Sequence, residues 1–185
     1  MAKRRVLPDQ AYLQECFRYE PETGKLFWRY RPESHFLTNG AYKTWTANFA
    51  GKEAGGIYPS DQGYRRHMVG LNRKVHLTAR IIFKLEYGYE PIEVDHKNCD
   101  PTDNRKANIR KATSAENRRN RKTPKNSSTK LKGVSWHRAT NSYIAYIGSH
   151  GRKIHLGCFT TPEAAHEACR KAATELHGEF ARTKR

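Results

Sequence analysis

Between Ile92 and Asn117 the chain has little freedom in what it can build. Ile92–Lys97 and Asn108–Lys111 are short strand-like runs, and the residues between them, Asn98-Cys99-Asp100-Pro101 and Asp103-Asn104-Arg105, are of turn type. Asn and Asp side chains bond back to their own backbone, and proline fixes φ, so such residues close a loop rather than extend a strand. Two strands joined this way form an antiparallel hairpin. Ser114 then suits the N-cap of a short helix whose first turn carries Asn117. The expected unit is strand, loop, strand and helix over residues 92–121.

The same stretch holds a chemically useful set: Asp95, His96, Asn108 and Asn117. Hydrolysis of a phosphodiester needs a group that takes a proton from water and a cation that bears the charge developing on the phosphate. His96 suits the first task. Asp95 and the amide oxygen of Asn117 are hard donors that suit Mg2+ or Mn2+ better than zinc. Asn104 reads as a turn residue rather than a ligand. Each residue alone is ordinary hairpin chemistry, and the spacing of the whole set carries the functional reading.

This segment resembles the HNH nuclease motif, the ββα-metal fold of colicin-type and phage homing nucleases. The carrying residues are the Asp95-His96 pair, the Asp103-Asn104-Arg105 turn, the Asn108-Ile109-Arg110 strand and Asn117. The resemblance implies that His96 is the general base and Asp95 the first metal ligand. Asn108 falls on the central Asn that steadies the hairpin and orients the base. Asn117 falls on the second metal ligand, where the family usually has His. It further implies one divalent ion, in-line attack by hydroxide, and products with 5′-phosphate and 3′-hydroxyl ends.

The 185 residues carry a formal charge of +17, with a pI near 9.9. From Asn117 to Pro162 there is no Asp or Glu, yet Arg118, Arg119, Arg121, Lys122, Lys125, Lys130, Lys132, Arg138, Arg152 and Lys153 all fall there. So one-sided a stretch repels itself unless a polyanion neutralises it, and nucleic acid is the expected partner; the resemblance to HNH nucleases implies that it is double-stranded DNA. No apolar run is long enough to span a bilayer. The basic start, Met1-Ala2-Lys3-Arg4-Arg5, lacks the apolar stretch of a signal peptide, so a cytoplasmic protein of a phage or bacterial host cell is expected. Hydrophobic residues make up 36%, which fits small modules with modest cores. Four cysteines without a Cys-x-x-Cys pair argue against a zinc ribbon; they are read as reduced, with Cys158 and Cys169 packed in a core.

Residues 1–91 read as a mixed α/β region with possible DNA contacts. A helix is expected over Pro8–Phe17, a turn at Pro21–Gly24 and a strand over Lys25–Tyr30. Residues 31–62 read as loops, with short strands near Trp45 and Ala54. Gly63–Val69 and Lys74–Leu77 read as a hairpin with a basic surface of Tyr64, Arg65, Arg66, Arg73 and Lys74. After it comes a helix capped by Thr78 and ended by Gly88, with Ile81, Ile82 and Leu85 facing the core. Tyr19-Glu20-Pro21-Glu22-Thr23-Gly24, followed by Leu26-Phe27-Trp28, resembles the leader of phage HNH nucleases.

Residues 122–131 read as a basic linker, and 132–181 as three alternating strands followed by a helix that starts at Thr161-Pro162 and stops at Gly178. Ala165, Ala168, Cys169, Ala172 and Leu176 make the stripe of that helix expected to lie on the sheet. Gly133-Val134, Trp136, Tyr143 to Ile147, Leu156 to Phe159 and Thr161 to Ala165 resemble the AP2 DNA-binding domain. That resemblance implies that Ser135, His137, Tyr146, Lys153 and His155 face DNA, while Val134, Trp136, Ala145, Ile147 and Ile154 face the helix. Arg138 and Arg152 at strand ends, with Arg118, Arg121, Lys125 and Lys132, complete the expected DNA-binding set.

The sequence thus reads as an α+β protein: an N-terminal mixed region, a ββα-metal core over 92–121, the linker, and an AP2-like three-stranded antiparallel sheet plus helix. The expected activity is that of a metal-dependent homing-type DNA endonuclease acting as a monomer. The rivals are a non-cleaving DNA-binding regulator with a degenerate nuclease core and, on charge alone, an RNA-associated structural protein.

Overall fold

Asp9 opens the first helix: its carboxylate accepts the Tyr12 N–H at 2.8 Å and caps α1 (Gln10–Cys16). Leu13 and Cys16 are its buried stripe. Phe17, expected to end this helix, instead begins β1 (Phe17–Glu20), because the backbone turns extended there. A turn over residues 21–24 leads into β2 (Lys25–Trp28), which pairs antiparallel with β1 and sets Phe17 opposite Trp28. The computed structural model describes residues 6–59, 65–121, 123 and 127–181. Tyr64 and the start of the expected 63–69 strand lie outside the described residues.

The region around Trp45 differs from expectation. It is a helix, α2 (Asn39–Phe49), capped by Thr38, whose hydroxyl accepts the Ala41 N–H at 3.1 Å. Its Gly, Asn and Thr content hides it from propensity, and packing decides instead. Trp45 sets its edge on Trp28 with ring centroids 5.1 Å apart and tilts against Phe36 at 5.4 Å. The guanidinium of buried Arg31 lies over the Phe36 and Trp45 rings at 4.8 and 5.0 Å.

Near Ala54 a strand does form, β3 (Gly56–Pro59), at the edge of a sheet with β4 (Arg65–Leu71) and β5 (Lys74–Leu77). Asn72 and Arg73 close the β4–β5 hairpin with φ of 50° and 58°, the left-handed pair that a two-residue turn of the I′ type requires. α3 (Thr78–Tyr87) ends at Gly88, whose φ is 77°. Thr78 is not a cap as expected. It is the first helical residue, fully buried, and its hydroxyl meets His67 Nδ1 at 2.7 Å. Ile81 and Ile82 of α3 join Leu13, Phe17, Leu26, Val69 and Leu71 in one core. Onto that core packs the antiparallel hairpin of β6 (Glu93–His96) and β7 (Ile109–Ala112), through Ile109 and Val94.

Chain contacts divide the protein into two units, Met1–Thr113 and Ser114–Arg185. The second holds α4 (Ser114–Asn120), the antiparallel strands β8 (Val134–His137), β9 (Ser142–Ser149) and β10 (Arg152–Phe159), and α5 (Pro162–His177). β9 is the central strand. Thr161 caps α5 and Pro162 is its first residue, as the sequence indicates. Leu131, Val134, Ala145, Ala165 and Cys169 form a small core between sheet and helix. Gly133 is required there: a Cβ would meet the Tyr146 carbonyl at 2.6 Å and the Cys169 sulfur at 2.8 Å.

Several residues expected inside this module are outside. Trp136 is 43% exposed and Ile154 39%, each on an edge strand of the three-stranded sheet. Leu176 is 41% exposed, in the last turn of the helix. Cys158 is exposed as well, while Cys169 is buried as expected. A bulge between His155 and Gly157 shifts the strand phase, so Cys158 falls opposite Ile144 on the outer face. All four cysteines are free thiols. No helix among the described residues is long and apolar enough to cross a membrane.

Candidate active site and nucleic-acid interface

The β6–β7 register sets Asp95 opposite Arg110 and His96 opposite Ile109. Directly opposed side chains of opposite charge meet across such a ladder. Arg110 Nε donates to Asp95 Oδ2 at 2.8 Å, and Arg110 Nη2 lies 2.8 Å from the same oxygen. Asp95 is 3% exposed, and both guanidinium contacts fall on one of its oxygens, so the buried charge meets a directly opposed cation.

His96 stands at the end of β6, where the loop begins. Its Nε2 lies 3.1 Å from Oδ1 of Asn104, a residue only 2% exposed. With Nε2–H donating to that amide oxygen, the neutral imidazole carries its basic lone pair on Nδ1. The backbone at residues 104–106 is braced in turn by the leader segment, residues 19–24. The Tyr19 hydroxyl donates to the Asn104 carbonyl at 2.8 Å, and the Lys106 N–H donates to the Pro21 carbonyl at 3.0 Å. Gly24, at φ 75°, comes so close that a Cβ would meet the Arg105 nitrogen at 2.6 Å and the Asn104 carbonyl carbon at 2.7 Å. Burial raises the Tyr19 hydroxyl well above the usual phenol range, so it stays a donor.

Asn108 closes the loop from within. Its Oδ1 accepts the Asn98 N–H at 3.0 Å, and its Nδ2 donates to the Asp103 carbonyl at 2.7 Å. Asp103 accepts from Arg105 Nε at 2.8 Å and Nη2 at 2.6 Å, and from Asn98 Nδ2 at 2.8 Å. The Arg105 guanidinium holds the Asp103 carboxyl down at about 2. Asp100 accepts the Thr102 hydroxyl at 2.6 Å and its N–H at 2.9 Å, which also lowers its carboxyl. Asp95, His96 and Asn108 thus share one hairpin of the first unit. Asn117 stands on α4, in the second unit.

In the second unit, pairing of Ser135 with Ile144, His137 with Ser142, Lys153 with Gly148 and His155 with Tyr146 puts the five expected side chains on one face of the sheet. Lys153 Nζ lies 3.8 Å from the Tyr146 ring centroid, and His155 tilts on the same ring at 5.2 Å. Arg152, opposite Ser149, falls on the other face, toward α5. Arg118, Arg121 and Arg138 are exposed. The Lys132 ammonium donates to the carbonyls of Arg119 and, at 2.9 Å, of Arg121. Lys125 lies outside the described residues.

Sequence reasoning misses two members of the first unit's site. Arg110 can be found by counting the antiparallel register, because 95 and 110 sum to the same value as 96 and 109. Asn104 carries no such signal, since a buried amide in a turn looks like any other turn residue.

A short hairpin bearing Asp-His, braced by an Asn-rich loop, defines a class that comparison identifies: residues 76–119 match the family model described as HNH endonuclease. The chain carries an HNH endonuclease domain and belongs to one family with Protein 3.8 of Escherichia phage T7. The two are 32% identical over 89 residues, which are 48% of this chain and 73% of that protein. A solved structure is also similar, that of DNA binding and cleavage by the HNH homing endonuclease I-HmuI. It is 20% identical, with 86% of this chain and 76% of that chain covered and a TM-score of 0.35.

Proposed function

We propose that the protein is a metal-dependent endonuclease that hydrolyses phosphodiester bonds of double-stranded DNA at a recognised site, of the homing type. One observation carries this reading: within the HNH match, His96 has one nitrogen engaged by a buried amide that is braced from its own side. That is what a general base requires: a fixed tautomer and a fixed ring. His96 takes a proton from water, and the hydroxide so formed attacks the phosphate in line. Asn108 holds the loop that follows the base.

Asp95 and Asn117 would hold one Mg2+ or Mn2+, which supplies charge neutralisation at the phosphate and at the leaving 3′ oxygen. The donor chemistry fits: one carboxylate and one amide oxygen suit a hard cation that keeps most of its own waters. Among the described residues no group of three or more His, Cys, Asp or Glu stands together as a metal cage, so the proposed site relies on a single carboxylate and an amide. The products would carry 5′-phosphate and 3′-hydroxyl ends.

The division of labour follows the chain. Residues 1–91 brace the site, 92–121 are the ββα-metal core, 122–131 link, and 132–181 form an AP2-like module. That module lays Ser135, His137, Tyr146, Lys153 and His155 on DNA, with Arg118, Arg121, Lys125, Lys132, Arg138 and Arg152 as phosphate contacts. The protein acts as a monomer in the cytoplasm of the host cell. A second reading, a non-cleaving regulator, draws on the Asp95–Arg110 pair, which already satisfies the carboxylate with a protein cation. Incubating supercoiled plasmid with the purified chain in Mg2+ and in EDTA separates them. Nicking that needs the metal and leaves ligatable 5′-phosphate ends supports the endonuclease; site-specific binding without nicking supports the regulator.

A further inference from the structure

A cavity of about 550 Å3 lies within the second unit, inside the ~300–1,000 Å3 range of ligand sites. Its walls come from α4, the turn between β9 and β10, and α5. Six Arg or Lys and three His line it, and no Asp or Glu does. Arg118 and Arg119 come from α4, Arg152 from the start of β10, and His166, Arg170 and His177 from α5. The cavity lies on the helix side of the sheet, since Arg152 shares the face of Ser149 and Ala145 rather than that of Tyr146 and His155. Tyr146 and Lys153 also contribute to its lining, whereas Ser135, His137 and His155 of the outer face do not.

A second observation points to a ligand. Both ring nitrogens of His166 are shut away from solvent and have no hydrogen-bond partner among the described residues. Buried polar groups left without a partner are rare and call for one, and His166 is a lining residue of this cavity. His177 Nε2 is already engaged, 2.9 Å from the Gly148 carbonyl. Burial, with Arg119, Lys132 and His150 close by, holds the His177 imidazole below its ordinary value. Arg170 pairs with Glu167 at 3.2 Å, with both side chains about half exposed.

We propose that this cavity binds a phosphate group, with the guanidinium groups of Arg118, Arg119 and Arg170 as its donors and His166 as a hydrogen-bonding partner. Planar guanidinium forks match phosphate oxygens two at a time, and a concave wall of one sign concentrates anions. A lone carboxylate would leave most of this positive charge uncompensated. The chemistry is the same for a phosphate of a nucleic-acid backbone and for a small free phosphate. Arg118 belongs also to the DNA-contact set of the proposed function, and for a backbone phosphate the inference rests on that reading; for a small free phosphate it stands apart from the chemistry at His96.

The test uses the full chain with 15N-labelled histidine, titrated with inorganic phosphate at ionic strength held constant with chloride. The His166 and His177 imidazole signals, assigned with His166→Gln, are expected to shift and saturate. Arg119→Ala with Arg170→Ala is expected to weaken phosphate about tenfold or more through lost charge-assisted hydrogen bonds. The single Arg170→Gln, on an exposed side chain, gives a smaller loss in a variant whose fold is not at risk. A short duplex oligonucleotide that shifts the same signals and is competed by phosphate identifies a backbone source. Shifts by phosphate and not by duplex identify a small phosphate. Signals that stay still with both probes, shifts reproduced by chloride alone, or unchanged phosphate affinity in the double variant overturn the proposal.

Discussion

The imidazole of His96 is tied to Asn104 across a 3.1 Å contact, and Asn104 is itself almost fully buried. The base and its support come from the two ends of one loop. Asn104→Ala removes the acceptor that fixes the ring and leaves the rest of the loop network in place. Plasmid nicking in Mg2+ is expected to fall roughly 10–100-fold, a part of the 10²–10⁴ a general base contributes. The pH–rate profile should shift at the same time. A variant that merely loosened the fold would lower the rate without moving that profile.

The leader turn braces this loop. Gly24→Ala would drive a methyl group into the backbone at residues 104–105, at a φ that disfavours any side chain. A loss of about 1–3 kcal/mol in unfolding free energy is expected, together with reduced nicking. Chemical denaturation of the full chain measures it. A variant as stable and active as the parent would remove the turn from the site.

Asp103 gives the loop a pH signature. Its carboxyl is lowered to about 2 from an ordinary 3.8, so its contribution to stability is fully present above pH 3.8 and is lost as pH falls toward 2. Thermal unfolding between those limits should show a decline that Asp103→Asn flattens. An equal decline in both proteins would assign the acid sensitivity elsewhere.

Arg110→Gln would leave Asp95 buried without its cation, which typically costs about 3–5 kcal/mol. If Asp95 also holds a divalent ion, Mg2+ should raise the melting temperature of this variant more than that of the parent. No difference in the Mg2+ effect would count against Asp95 as a ligand.

Much of this fold is legible in the chain itself. Alternating residues and turn signals locate the β6–β7 hairpin, the β4–β5 hairpin and α5, because each has a local period and a local stop. α2 is illegible, since its eleven residues are held by Trp45 against rings that arrive from elsewhere in the chain. Cys158 misleads for a related reason: one bulge reverses every side chain beyond it, and nothing in the local pattern announces it. In the site, Asp95, His96 and Asn108 carry a spacing. Asn104 does not, because its role is made by Tyr19, Pro21 and Gly24, some eighty residues earlier.

The claim on which the rest depends is that His96 performs the chemistry. Purified protein and His96→Ala should be compared side by side on supercoiled plasmid in Mg2+, with duplex binding measured for both. The expected result is metal-dependent nicking by the parent and its loss in the variant, with binding retained. Equal nicking by His96→Ala, or none by the parent under any divalent cation, would contradict the account.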